Sequence, residues 1–238
     1  MKLLDTTGGN TKVKKSMKLG EVRIASLSLM PTIELCPHSL IANCFDKCLK
    51  FSGLAGVYAS VNDARAKKTE FFLQEREAFM AQLKRELHNF IKVCKRDGLK
   101  PVVRLNVLSD VKWETLLDMA GEFSEIFFYD YTKNAKRLGA TPENYKLMFS
   151  YSGEDRYQKH VEVALKTKVP MTVVFYGKEL PDQYLGRPVK DGDVSDLDNV
   201  LSGEVIIGLR AKGNDAKVYD PSNKFIVDAS NLITMENV

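Results

Sequence analysis

The chain has 238 residues, 44% of them hydrophobic and 28% charged, which suits one large core and is short for two independent domains. No apolar run approaches the ~20 residues of a membrane-spanning helix, and the N-terminal lysines have no apolar stretch behind them as a secretory signal would. No membrane association is expected, and in a reducing cytosol clustered cysteines serve as metal ligands or catalytic thiols rather than disulfides. The formal net charge of +4 is mild. Much of it lies on Lys12, Lys14, Lys15 and Lys18, whose plain reading is a solvated basic tail, with a nucleic-acid arm as the sharper alternative.

In chain order, residues 1–20 read as a polar, basic N-terminal segment, and 21–238 as a single domain. The run "EVRIASLSLMPT" (21–32) predicts a strand ended by Pro31, and "LIANCFDKCLKFSGLAG" the start of a short helix ending near Gly53 or Gly56. In 69–98, Phe72, Phe79, Leu83, Leu87, Phe90 and Cys94 recur at steps of three, four or seven, which predicts one amphipathic helix stopped at Gly98. Strands are predicted over 101–110, 125–133, 145–152, 170–177 and 204–213, with a further one near 224–231. Helical pieces lie at "WETLLDMAGEF" and "EDRYQKHVEVALKT", and a long loop runs to about Ser202. Apolar strands alternating with helices imply buried parallel βαβ units. Six such strands predict a partial (β/α)6-type barrel of mainly parallel strands with helices outside; an open doubly wound sheet is the alternative.

Barrel sites lie at the C-terminal ends of the strands, and polar residues collect there. Asp110, Asp130 and Lys133 are the catalytic candidates, the aspartates as acid or base. Asn106, Ser109, Tyr131, Ser150, Ser152, Arg210 and Lys212 are the candidates for cofactor or anion binding. Each alone could merely cap a strand; their recurrence on successive strands marks a rim.

Three of the chain's four cysteines, Cys36, Cys44 and Cys48, follow the first strand, separated by seven and three residues. Three thiolates can hold an iron–sulfur cluster with one iron left open. Zinc would need a fourth ligand, for which His38 lies awkwardly close to Cys36. Three unliganded thiols are the plain alternative. Cys94 falls on the apolar helix face, where a buried free thiol is expected. The cluster Asp191, Asp193, Asp196 and Asp198 lacks the glutamate that completes a calcium loop and reads as a solvated loop, with a carboxylate contributed to the barrel mouth as the alternative. Phosphate-loop, dinucleotide-binding and nucleophile-elbow motifs are absent.

The blocks "LCPHSLIANCFDKCLKFSG", "RLNVLSDVKWE", "FFYDYTKNAKR", "NYKLMFSYSGED", "VVFYGKELP", "VKDGDVSDLD" and "IIGLRAKG" together resemble the phage gene-product-88 family, in order from about Leu27 to Gly213. That resemblance implies a phage origin and expression in the cytoplasm of an infected bacterium, and it supplies no chemistry. A cysteine triplet after the first strand of a six-stranded partial barrel also resembles, more distantly, radical S-adenosylmethionine enzymes. Ser109–Asp110 and Thr132–Lys133 at the ends of the next two strands strengthen it. This second resemblance implies a [4Fe–4S] cluster on Cys36, Cys44 and Cys48, with S-adenosylmethionine on the open iron. The usual triplet has three and two intervening residues, and the glycine-rich motif of the second strand is missing here, so Asn106, Ser109 or Asp110 would have to serve in its place. The competing expectation is a host-takeover protein that binds a bacterial partner or nucleic acid, with structural cysteines that hold zinc or nothing.

Overall fold

The computed structural model describes residues 1–7, 21–48 and 59–233. The strands are β1 (Val22–Ser26), β2 (Lys100–Arg104), β3 (Phe127–Thr132), β4 (Tyr145–Ser150), β5 (Met171–Tyr176), β6 (Gln183–Tyr184), β7 (Arg187–Asp191), β8 (Ile206–Arg210) and β9 (Ile226–Asp228). The helices are α1 (Ala59–Gln74), α2 (Arg76–Arg96), α3 (Gln158–Leu165), α4 (Asp196–Val200) and α5 (Ser230–Ile233). The sheet runs β1-β2-β3-β4-β5-β8-β7-β6, parallel throughout except for the β6–β7 hairpin. The order advances one way through β5. Crossover connections link these parallel neighbours, and the mostly parallel sheet does not close, as in a partial barrel or an open doubly wound sheet.

Strand alternation sorts the side chains into two layers. Ala25, Val103, Phe128 and Leu147 face outward and pack on Phe79, Leu83, Leu87 and Phe90 of α2. Ile24, Val102, Tyr129 and Met148 face inward, where Val200 of α4 covers them. A third cluster around Phe149, Val173, Phe175 and Ile206 seats Tyr157, Val161 and Ala164 of the α3 region. β4 meets β5 only at Phe149–Met171 and Ser150–Thr172. Beyond that the two diverge, and β9 pairs with Val174–Tyr176 on the edge that β4 has left.

Several expectations change. The single helix of 69–98 is two helices, because Glu75 leaves helical geometry (φ −126°, ψ 53°) and the Arg76 guanidinium takes the Phe72 carbonyl at 2.8 Å. The long loop before Ser202 contains β6, β7 and α4. Asp196, read as part of a solvated loop, is fully buried. The segment "WETLLDMAGEF" forms only a 3-10 turn at Trp113–Thr115. The N-terminal segment is not all solvated, since Leu3 and Leu4 are buried and Asp5 bridges Ser26. Lys12, Lys14, Lys15 and Lys18 and the end of the helix placed near Gly53 lie outside the described residues.

Candidate functional site

A cavity of about 140 Å³ opens at the C-terminal ends of β2, β3 and β4, beneath the cysteine loop. The loop contributes Cys36, His38, Ser39, Cys44 and Cys48. The strand ends contribute Arg104, Asn106, Ser109, Asp110, Tyr131, Thr132, Lys133 and Ser150.

The loop has no regular helix in residues 31–48, yet bonds from distant segments hold it. Asp110 N donates to Leu35 O (2.9 Å) and the Cys36 thiol to Leu108 O (3.6 Å). Ser152 Oγ donates to Ala42 O at 2.8 Å, and Asn43 Nδ2 to Glu154 Oε1 at 2.9 Å. Asn223 Nδ2 donates to Asn43 O at 2.9 Å. Asn43 has φ of 50°, a left-handed conformation that asparagine tolerates better than most residues.

The cavity's electrostatics follow from burial. Burial pushes the Cys36 thiol up to about 12, and the charges of Asp110, Cys48 and Cys44 add to the rise. Burial also raises Cys44, while the Lys133 ammonium opposes it. The pKa of Lys133 is lowered because its ammonium is desolvated; Cys44, Asp110, Cys36 and Cys48 work the other way. Its Nζ donates to Ser150 Oγ (3.0 Å) and to the carbonyls of Ser150 and Tyr151 (both 3.2 Å). The rings of Phe225 and Tyr157 lie 4.5 and 5.4 Å from it. Lys133 is therefore a cation held by neutral acceptors and aromatic faces, with Cys44 and Asp110 as the acidic groups that act on it most.

Nine of the predicted residues line this cavity: Cys36, Cys44, Cys48, Asn106, Ser109, Asp110, Tyr131, Lys133 and Ser150. Some are already committed. Asn106 Oδ1 accepts from Ser109 Oγ, Val111 N and Trp113 Nε1 at 2.8, 2.9 and 3.1 Å, so its side chain shapes the β2 loop. Tyr131 OH donates to Asp196 (2.7 Å). Asp110 is held by Arg137 Nη1 (2.5 Å), Thr132 Oγ1 (2.8 Å) and Lys133 N (2.9 Å).

Asp130 lies outside the cavity. It is one residue out of phase with inward-facing Tyr129 and Tyr131 and accepts from Asn106 N (2.7 Å) and Tyr145 OH (2.9 Å). Ser152 sits behind the wall as a support for the loop. Arg210 and Lys212 are turned to Asp191 and Asp193 at the end of β8, with Arg210–Asp191 at 2.9 Å and Lys212–Asp193 at 3.2 Å.

Sequence reasoning missed Arg104, buried at the end of β2 and paired with Asp196 at 2.7 Å. Its alternation with inward-facing Val102 was the available signal. It also missed His38 as a cavity wall, and Phe225, which meets Lys133 from a distant part of the sequence.

None of the four cysteines is in a disulfide. Among the described residues, no group of three or more His, Cys, Asp or Glu is gathered as a metal set, and no helix is long and apolar enough to cross a membrane.

Fold and site together define an α/β protein with an unclosed, mostly parallel sheet and a thiol- and lysine-walled cavity at the C-terminal strand ends, where such sheets carry their chemistry. The chain belongs to the phage family Gene product 88, whose model matches residues 1–226. No curated protein and no solved structure matches it.

Proposed function

We propose that this phage protein is an iron–sulfur enzyme of radical S-adenosylmethionine-like type, working in the cytoplasm of the infected bacterium, with a [4Fe–4S] cluster on Cys36, Cys44 and Cys48. One observation carries the reading: three thiols, a half-buried lysine and polar strand ends face a single cavity at the strand ends. The donor set fits the group, since thiolates ligate such clusters and three of them leave one iron open. A cluster held there would supply single electrons to S-adenosylmethionine on its open iron.

The chain's own residues set the conditions. The Cys36 thiol must lose its proton to ligate, and burial opposes that. Lys133 favours the thiolate of Cys44, and its ammonium is the charge that balances the loaded site. Ser109, whose Oγ bonds Asn106, gives the β2 wall its shape. Tyr157 OH donates to Lys133 O at 2.6 Å and fixes the backbone from which the lysine extends. Because the thiols are not gathered as a metal set, loading requires the turn-rich 36–48 segment to draw in.

That same observation favours a second reading. If the thiols stay apart, the protein is a host-takeover factor that binds a bacterial partner or nucleic acid, with its cysteines structural or on zinc.

Anaerobic reconstitution with iron and sulfide separates the two. The enzyme reading expects brown protein whose visible spectrum changes when S-adenosylmethionine is added. Alanine at Cys36, Cys44 or Cys48 should abolish the colour, and Cys94→Ala should retain it. Folded protein that stays colourless and iron-free would overturn the enzyme reading; about one zinc per chain would support the structural one.

A further inference from the structure

Around His38 on the cavity wall, basic and imidazole groups outnumber the one facing acid, Asp110. The ring of His38 meets that of His160 on α3 edge-on, with centroids 4.7 Å apart. His160 in turn stacks on Tyr157 at 5.1 Å. His38 lines the cavity, and its Nδ1 is buried without a hydrogen-bond partner; so is the Oγ of neighbouring Ser39, another wall residue. Buried polar atoms without partners are rare in folded proteins and point to a missing ligand or water.

Lys112 and Lys136 are exposed, and their charges, with that of Lys133, help to hold down the pKa of His38, below the larger effect of burial. The pKa of His160 is lowered by burial, then by His38 and Lys136. The acid facing His38 is Asp110, and Arg137, Thr132 and the Lys133 amide already hold it.

We propose that this place, where His38 and His160 meet within the electrostatic reach of Lys112 and Lys136, binds the phosphate group of a small phosphomonoester whose organic part enters the cavity. A phosphate monoester brings negative charge and three terminal acceptor oxygens, and this place offers two ammonium groups, two imidazole N–H groups and the Ser39 hydroxyl. The excess of donors exceeds what one carboxylate would satisfy. The cavity behind, about 140 Å³, has room for a small organic remainder. This inference does not require a cluster on the cysteines.

The chain has three histidines, and the third, His88 on α2, bonds Glu122 (3.0 Å) and serves as an internal control. The experiment follows the imidazole C–H resonances of the full chain, free of iron, at about pH 8, where both rim imidazoles are neutral. Inorganic phosphate and glycerol 3-phosphate are titrated at constant ionic strength. We expect saturable shifts of His38 and His160, an unmoved His88, and tighter binding of the ester. The Lys112→Ala/Lys136→Ala variant, altered only at exposed positions, should bind at least about tenfold more weakly. Shifts that fail to saturate, that appear equally at His88, or that survive unchanged in the double variant would overturn the site. An ester that binds no better than inorganic phosphate would overturn the substrate class. Because no metal is present, failure here leaves the cluster reading standing, and colourless reconstituted protein leaves this site standing.

Discussion

Asp130 sits one residue out of phase with the cavity, its carboxylate turned outward to Asn106 and Tyr145 at 2.7 and 2.9 Å. Burial pushes its pKa up to about 7, against the opposing pull of Arg104 and these hydrogen bonds. A raised carboxyl pKa stabilises the fold fully below the unfolded value near 4, and the benefit is lost as pH rises through the folded value. In Asp130→Asn nothing titrates, so the wild type's stability relative to this variant should shrink between about pH 4 and about pH 7 and level off above. Urea unfolding of both proteins across that range checks it, and a difference that is flat with pH would refute it. The residue types at the strand ends were legible in the sequence, but their duties were not. Asn106, Ser109 and Asp130 all read as rim chemistry. Only the alternation of β3 and the contacts of Asn106 with Val111 and Trp113 reveal that Asp130 lies outside the cavity and that Asn106 is bonded within the β2 loop.

Glu86 is the same lesson one level up, where a surface residue of α2 organises another element. Its carboxylate accepts from Leu3 N at 2.9 and 3.0 Å and from Leu4 N at 2.8 Å, while Lys68 Nζ of α1 donates to Leu3 O at 2.8 Å. These bonds lay the N-terminus against both helices and bury Leu3 and Leu4. Glu86→Ala should cost about 2–4 kcal/mol, from lost charge-assisted hydrogen bonds and partial exposure of two leucines. The urea midpoint should fall, and limited proteolysis should cut first near the N-terminus. Unchanged stability would mean that the leucines dock without the carboxylate. The buried face of α2 was readable because Phe79, Leu83, Leu87, Phe90 and Cys94 repeat at helical spacing. The break at Glu75 was not, since no proline or glycine marks it and it depends on a side chain capturing the Phe72 carbonyl. α4 was hidden for a different reason: its five residues include two aspartates, and Asp196 is buried only because Arg104, far away in sequence, is there to meet it.

For the whole molecule, the mostly parallel sheet was legible because strands covered on both faces read as continuous apolar runs. The way the chain's end returns to the cysteine loop was not, because it rests on single polar contacts between distant segments. β9 fills the edge of β5 that β4 vacates, and the residues leading into it reach the site. Lys224 N donates to Glu154 Oε1 at 2.9 Å, the same oxygen that holds Asn43 Nδ2. Asn223, itself buried, donates to Asn43 O at 2.9 Å and accepts from Phe225 N at 3.0 Å, while Phe225 covers Lys133. One side chain thus couples the backbone beside Cys44 to the ring that keeps Lys133 dry. Asn223→Ala should leave the Asn43 carbonyl short of a buried partner, at a cost of about 1–3 kcal/mol. The loss should fall on the loop and not on the sheet, since the β1–β2 and β3–β4 ladders make none of these contacts. Hydrogen exchange should accordingly quicken at Cys44 N, which bonds Ser39 O at 3.1 Å, and at Ala42 N, which bonds His38 O at 3.0 Å, while amides of β3 and β4 keep their protection. With Phe225 loosened, water reaches Lys133 and its pKa should climb toward the ordinary lysine value, which the pH dependence of its side-chain carbon resonance would record. Faster exchange throughout the sheet would mean that the variant lowers global stability alone. Unchanged exchange at Cys44 would mean that Ser152 and Glu154 hold the loop without help from the chain's end.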